Sequence, residues 1–272
     1  LNTTNPDISI ITVNYNGGNT LKRCVSSIDN HVKTHHEVIV FDNASSDGSI
    51  EALPALAQLR IIKSNENHGF AKGNNLAAAQ AKGAWYHFLN PDILVNSKLE
   101  SSYKTIFQGA ENVMYVTSLT DENGHDQQMK MLIPTLSNYW RRLVSPGKAQ
   151  HWSIGASIVL HRDTFEKLGG WSEDYFMYSE DLDLFYTAHS MGIRVVHLDT
   201  KIVHIGKVSS KSAWSAYQRA EVIEKSFKTF FRKHRSIPEY ILVRILQLTY
   251  QLAVNRSELK YSAKAFFKTL FR

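Results

Sequence analysis

The chain has 272 residues, 43% hydrophobic and 21% charged, a composition able to bury the core of one large domain or of one domain with an appendage. Its single cysteine, Cys24, excludes an intrachain disulfide framework and a cysteine zinc cluster, and fits a reducing compartment. The net charge of +6 is uneven: Arg219–Arg272 holds 12 Lys and Arg against 4 Asp and Glu, while residues 1–218 balance at −2, so the basic character belongs to the tail.

Such a tail suggests an anionic partner, nucleic acid or a lipid surface. The N-terminus has no basic n-region and no apolar h-region, so no secretory signal is expected. The most apolar run, Ile241–Val254, is broken by Arg244, Gln247 and Gln251 and falls short of the ~20 residues a membrane span requires.

Ile8–Val13 is β-branched and nearly continuous, as in a central strand covered on both faces. A polar loop, Asn14–Asn19, leads into helical spacing over Thr20–Ile28. Glu37–Phe41 predicts a second strand ending in Asp42-Asn43-Ala44-Ser45-Ser46-Asp47, followed by a short helix and a third strand at Leu59–Lys63. Asn65–Gly73 reads as a loop and Asn74–Ala81 as a helix. Ala84–Leu89 is a fourth strand, interrupted once by His87 and stopped by Pro91, which has no N–H to donate. Strand, loop and helix recurring in this way imply parallel strands with right-handed crossovers. The first loop lacks Gly-x-Gly-x-x-Gly, which excludes a dinucleotide-binding dehydrogenase.

Further on, Leu99–Gln108 predicts a helix and Val113–Ser118 a strand. Asp121–Gln150 reads as an irregular excursion suited to acceptor recognition. Trp152–Leu160 is a strand with the small residues Gly155-Ala156-Ser157 inside it, a sign of close approach. Helices are expected at Arg162–Leu168, closed by Gly169-Gly170, and at Ser179–Met191, with one or two strands over Arg194–Ile205. In the tail, Leu259, Ala263, Phe266, Phe267 and Leu270 form one helical stripe and Lys260, Lys264 and Lys268 another. That pattern suits either packing on the core or an in-plane membrane helix.

Four polar clusters fall at or beside strand ends: Thr12–Asn16, Asp42–Asp47, Asn90 with Asp92, and Ser179-Glu180-Asp181-Leu182-Asp183. A carboxylate beyond a strand's carboxyl end can hold a divalent cation bearing a diphosphate. Carboxylates opening a helix can serve as caps or as a catalytic base.

In this order the clusters resemble the inverting family 2 glycosyltransferases with the A-type fold, over roughly Ile8 to Ser210. The resemblance rests on Ile-Ile-Thr-Val-Asn-Tyr-Asn, Val-Phe-Asp-Asn-Ala-Ser-Ser-Asp-Gly-Ser, Asn-Glu-Asn-His-Gly-Phe-Ala-Lys-Gly-Asn-Asn, Phe-Leu-Asn-Pro-Asp, Tyr-Phe-Met-Tyr-Ser-Glu-Asp-Leu-Asp-Leu and His-Ile-Gly-Lys-Val-Ser. The Asn-Pro-Asp variant is most similar to the branch containing bacterial rhamnosyltransferases of surface-polysaccharide (O-antigen) assembly.

The resemblance implies an α/β fold with a Rossmann-like, mostly parallel sheet in a nucleotide-sugar-binding domain over 1–210, and a basic helical tail over 211–272. It implies that Asp42 holds the nucleobase, with Thr12, Asn14 and Tyr15 in the same pocket, and that Gly69, Lys72 and Asn75 approach the donor. Asp92 matches the last carboxylate of the family's Asp-x-Asp metal motif, Asn90 replaces the first, and His204 matches a histidine that completes the metal shell. Imidazole suits Mn²⁺ better than Mg²⁺. Asp181 matches the base, and Glu180 or Asp183 could instead orient the helix or bind acceptor. The implied partners are a dTDP-, UDP- or GDP-linked sugar, a glycan or polyprenyl-linked acceptor and, through the tail, an anionic membrane at the cytoplasmic face, with no nucleic acid. A nucleotidyltransferase and a non-catalytic glycan- or nucleic-acid-binding module are the rival readings.

Overall fold

A computed structural model of the chain describes residues 5–127, 130–206, 215–254 and 259–270. Ten strands and nine helices are assigned among them. The strands are β1 (Ile8–Asn14), β2 (His36–Asp42), β3 (Leu59–Lys63), β4 (Trp85–Leu89), β5 (Ile93–Leu94), β6 (Val113–Thr120), β7 (Met131–Leu132), β8 (His151–Trp152), β9 (Ser157–His161) and β10 (Arg194–His204). The helices are α1 (Gly18–His31), α2 (Gly69–Ala78), α3 (Ser97–Phe107), α4 (Leu136–Val144), α5 (Arg162–Lys167), α6 (Glu180–Ser190), α7 (Ala216–His234), α8 (Ile237–Val254) and α9 (Leu259–Leu270).

Eight strands form one sheet in the order β3-β2-β1-β4-β9-β6-β10-β5. The first four are parallel, as the repeated strand, loop and helix predict. β9 is antiparallel to both β4 and β6, β10 is parallel to β6, and the short β5 is antiparallel to β10. The carboxyl ends of β1, β2, β4, β6 and β10 therefore share one edge, where β9 begins.

Period-two alternation along the strands builds a core on each face. Ile8, Ile10, Val38, Val40, Trp85 and Val159 meet Leu21, Cys24 and Ile28 of α1 and Leu99, Tyr103 and Ile106 of α3. Ile11, Ile39, Phe41, Phe88 and Ile158 meet Ala71 and Ala77 of α2, Phe165 of α5 and Phe185 of α6. His87, the polar interruption of β4, is fully buried between Tyr103 Oη at 2.6 Å and Ser157 Oγ at 2.8 Å, and burial pushes its pKa down to about 3. The ring is neutral and bridges α3, β4 and β9.

A third cluster stands on the outer side of α6. Leu182 and Tyr175 pack there with Phe230 and Phe231 of α7, Tyr240 and Val243 of α8 and Phe266 of α9, and Leu136 and Tyr139 of α4 lean on it. Inside it, Glu224 accepts hydrogen bonds from Tyr240 Oη at 2.7 Å and from Arg244 through Nε at 2.9 Å and Nη2 at 2.7 Å. Replacing Glu224 with alanine would strand a nearly buried guanidinium, so it is expected to destabilise the chain by ~3–5 kcal/mol in urea denaturation. A loss under about 1 kcal/mol would show that this ion pair does not hold the helical layer.

Several local expectations are corrected. No helix follows Asp47: residues 48–53 form turns that bury Ile50, where a single i→i−4 bond, Ala52 N to the Gly48 carbonyl, closes and is not continued. α2 starts at Gly69, five residues early, because the loop side chains Asn67 and Asn43 satisfy its entry: Asn67 Oδ1 accepts from Gly69 N and Asn43 Oδ1 from His68 N. Asp121–Gln150 contains β7 and α4, capped by Thr135, whose hydroxyl accepts from Asn138 N. The run Trp152–Leu160 divides into β8 and β9 at Gly155. The domain boundary expected at 210 lies outside the described residues.

Candidate active site

The shared strand edge gathers the polar clusters. At its β1–β2 part, Asn14 lies beside Asp42 in register, and its Nδ2 donates to Asp42 Oδ1 at 3.2 Å, Ser45 Oγ at 2.9 Å and Ser49 Oγ at 3.0 Å. Asp42 is buried, and Tyr15 next to this network is 37% exposed. Thr12 is fully buried and its hydroxyl donates across the sheet to the Leu89 carbonyl. Asp47 accepts from Gly18 N and Ser49 N and so ties the second loop to the start of α1.

Gly69 connects this region to the segment before α6. It adopts φ +80°, and a Cβ there would collide with the Phe176 carbonyl, which accepts from Phe70 N at 3.2 Å. Gly69→Ala is expected to push the 171–179 segment away and to lower Tm by several degrees, as differential scanning calorimetry would read. An unchanged Tm would show that the close approach is slack. Asn75 is committed to the same segment, donating to the Trp171 carbonyl and Glu173 and accepting from Trp171 N. Lys72, in the first turn of α2, is half-buried and has no hydrogen-bond or ion-pair partner among the described residues.

Just beyond the end of β4, Asp92 meets His204. The β5–β10 pairing sets Ile93 opposite His204, and Ile205 N donates to the Asp92 carbonyl. His204 Nε2 then lies 3.5 Å from Asp92 Oδ1. Gln127 holds the other side of the ring: its Oε1 is 2.8 Å from His204 Nδ1 and its Nε2 donates to the His204 carbonyl. With a proton on Nδ1, Nε2 presents its lone pair towards Asp92. Asn90 Oδ1 is buried without a hydrogen-bond partner among the described residues. The Asp92 carboxylate and the oriented His204 imidazole are a donor pair that fits a divalent cation, and Asn90, two residues before Asp92, adds an amide oxygen left without a partner. The cluster of three ligand types that the described residues bring together, Glu111, His161 and Asp163, lies at the opposite edge of the sheet, where β9 ends and β6 begins.

The fourth cluster is joined to the third through β9. Asn90 N donates to the Ala156 carbonyl, and the neighbouring Gly155 N donates to Asp181 Oδ2 at 3.1 Å. Asp181 Oδ1 also accepts from Leu182 N at 2.8 Å. Burial pushes the Asp181 pKa up to about 6 against these two backbone donors. Glu180 is raised well above its ordinary value, by burial first and the Asp181 charge second, and its Oε2 has no partner among the described residues. Asp183 points the other way. Burial raises its pKa, but hydrogen bonds from His234 and Tyr175 outweigh that and leave it lowered. Tyr178 and Ser179 before the helix both take positive φ, 68° and 65°, a strained entry for two residues with side chains.

Two contributors were not singled out from the sequence: Gln127 orients His204 from the excursion expected to be irregular, and Trp171 packs its ring edge against Gly155. A glutamine in a polar loop and a tryptophan after Gly-Gly carry no spacing signal. The glycine at 155 did carry one, since a Cβ there would lie 3.3 Å from that of Asp181.

A mixed sheet of this order, with carboxylates collected at the carboxyl edge and the carboxylate-bearing helix α6 across it, is the A-type fold of nucleotide-sugar glycosyltransferases. The chain belongs to glycosyl transferase family 2, whose family model matches residues 9–181. It is 24% identical over 288 residues to the low-salt glycan biosynthesis hexosyltransferase Agl10 of Haloferax volcanii, covering 97% of this chain and 90% of that protein. It is 25% identical to the N-acetylglucosaminyl-diphospho-decaprenol L-rhamnosyltransferase of Mycobacterium tuberculosis, over 65% of this chain and 68% of that one. Among solved structures it is similar to the mannosyltransferase PcManGT of Pyrobaculum calidifontis, in complex with GDP-Man and Mn²⁺, at TM-score 0.59 and 21% identity, covering 97% of this chain and 74% of that one. The protein is a glycosyltransferase, and the nucleotidyltransferase and binding-module readings fall with that assignment.

Proposed function

We propose that this enzyme moves a sugar from a nucleotide diphosphate donor to a hydroxyl of a glycan or polyprenyl-linked acceptor, by one displacement with inversion. The observation that carries the proposal is Asp181, lifted to a pKa of about 6 and tied through Gly155 and Ala156 to the strand end bearing Asn90 and Asp92. A carboxylate poised there is ionised at neutral pH and still basic enough to take a proton in the transition state.

In the proposed reaction Asp181 accepts the acceptor hydroxyl's proton while that oxygen forms a bond to the anomeric carbon. The bond from that carbon to the phosphate oxygen breaks, and its electron pair leaves on the nucleoside diphosphate. Glu180, pushed towards its neutral form by burial and by the Asp181 charge, sits beside the base and in that form can donate a hydrogen bond to acceptor or leaving group. Asp42 with Asn14 and Tyr15 receives the nucleobase, and Thr12 stiffens that pocket from within the sheet. Lys72 at the start of α2 is free to meet phosphate, while Gly69 and Asn75 position the segment leading to α6. Asp92 and His204, with Asn90, would hold a divalent cation, which as a Lewis acid supplies neutralisation of the leaving diphosphate. The imidazole favours Mn²⁺ over Mg²⁺.

Rhamnose is the sugar to which the resemblance and the mycobacterial relative point, and that relative's name supports a lipid-linked acceptor. The test is a thermal-shift screen of dTDP-, UDP- and GDP-sugars with Mn²⁺ or Mg²⁺, followed by product analysis. The expected result is stabilisation by one nucleotide series in the presence of metal, with release of nucleoside diphosphate. No shift with any donor, or retained anomeric configuration in the product, would overturn the proposal.

A further inference from the structure

The C-terminal helices leave an apolar face outward. α8 turns Tyr240 and Val243 into the third cluster, and its Arg244, the one charge between Glu239 and Val254, turns inward to Glu224. Its opposite face carries Leu242, Ile245, Leu246 and Tyr250, each 47–67% exposed and spaced to form a single stripe. A helix that is apolar all round is ordinarily buried all round, and this one is not.

α4 repeats the arrangement beside it. Its inner face leans on the same cluster through Leu136 and Tyr139, while Trp140, Leu143 and Val144 are 66%, 76% and 57% exposed. The two helices are neighbours: Leu136 N donates to Glu239 Oε1 at 2.8 Å, and Gln247 Nε2 to Tyr139 Oη at 3.4 Å. Arg141 and Arg142 flank the stripe on α4, and Lys148 follows it. The same helical layer holds a groove of about 190 Å³ between α7 and α9, lined by Lys225, Lys228, Arg232 and Lys268 with Glu221 as its one acid.

α9 itself takes a different part. Ala265, Phe266 and Thr269 are buried, Lys228 Nζ donates to the Thr269 carbonyl, and Lys268 pairs with Glu221 at 2.6 Å. Its apolar stripe is mostly used for packing, so the exposed apolar surface of this layer sits chiefly on α8 and α4.

We propose that the outward stripes of α4 and α8 form an in-plane docking face for an anionic lipid bilayer. The proposal gives a place to the lipid-facing acceptor proposed above and rests on that reading for its purpose, but vesicle binding is measured without donor or acceptor. Charge selects the occupant. A second copy would bring Arg141, Arg142 and Lys148 against their own counterparts, a rim of the same sign, whereas anionic headgroups complement it. Tryptophan and tyrosine with arginine at the rim suit the boundary between headgroups and acyl chains, where one end of the ring is wet. Among the described residues no helix is long and apolar enough to cross a membrane, so these stripes would lie in its plane.

The experiment is co-sedimentation of the full chain with vesicles of phosphatidylcholine alone or mixed with phosphatidylglycerol, at low and high salt. Binding is expected to the anionic vesicles and to weaken with salt. The double substitution Trp140→Ala, Leu246→Glu should lower it at least about tenfold. Both side chains face outward, so circular dichroism and Tm should be unchanged, and turnover of a water-soluble acceptor should persist. Binding by the double variant equal to that of the native chain would overturn the proposal. So would no binding of the native chain at low salt, or a dimer by light scattering that Leu246→Glu dissociates.

Discussion

Asp181→Asn is expected to lower turnover by about 10²–10⁴-fold while leaving donor affinity within a few-fold, measured by single-turnover kinetics and by titration with the nucleotide product. The amide keeps the shape and its single oxygen can accept from either Gly155 N or Leu182 N, which the two carboxylate oxygens serve separately, but it cannot take a proton. Native turnover should rise with pH through about 6, as Asp181 ionises. Glu180→Gln should keep turnover within about tenfold, because burial already pushes the native side chain towards its neutral form and glutamine also donates a hydrogen bond. If Glu180→Gln is the dead variant and Asp181→Asn the active one, the two roles are exchanged.

Stability should move the opposite way. The Asp181 pKa is raised from 3.8 to about 6, so between those values the native chain binds more protons than the unfolded one. Stability from this group therefore falls as pH rises through that window. At neutral pH the ionised carboxylate costs up to ~3 kcal/mol, which Asp181→Asn removes. The variant should melt higher than the native enzyme at pH 7 and at about the same temperature near pH 4. Gain of stability with loss of turnover marks a group held against its own preference for the sake of the reaction.

The fold was legible where short-range rules suffice. β1–β4 follow from β-branched runs and the α1 crossover from helical spacing, whereas the helix expected between β2 and β3 does not form. The antiparallel insertion of β9 between β4 and β6 does not follow from such rules, because the partner of a strand is chosen by long-range packing. The carboxylates of the site announced themselves as turn-forming residues after apolar runs. Their environments stayed hidden. That Asp183 is pinned by Tyr175 and His234, whereas Asp181 two residues earlier is lifted by burial, depends on which face of α6 meets α7. The tail shows the same limit: Leu259–Leu270 was read as a helix with an apolar stripe, and only the assembled layer shows that stripe mostly covered and the one on α8 left open. Gln127 is the clearest omission, since its role exists only because β10 returns beside β5.

Asp92→Ala is expected to be as damaging as loss of the base, for a different reason. It removes the one carboxylate of the donor set and leaves His204 as a single neutral ligand beside the Asn90 amide. Metal-dependent stabilisation by nucleotide should vanish, and turnover should fall by about 10³-fold or more, because the leaving diphosphate loses its counter-charge. His204→Ala and Gln127→Ala should be milder, each about 10–100-fold in metal affinity, since one deletes a ligand and the other frees its ring. Asn90→Asp tests the set in the gaining direction. Its oxygen lies where the amide Oδ1 is now buried without a partner, and a second carboxylate should tighten Mn²⁺ binding in an isothermal titration with the nucleotide present. If Asp92→Ala keeps metal-dependent nucleotide binding and Asn90→Asp leaves Mn²⁺ affinity unchanged, the cation is not held at this strand end. Asp92 and His204 would then be an ordinary pair that fastens β5 to β10.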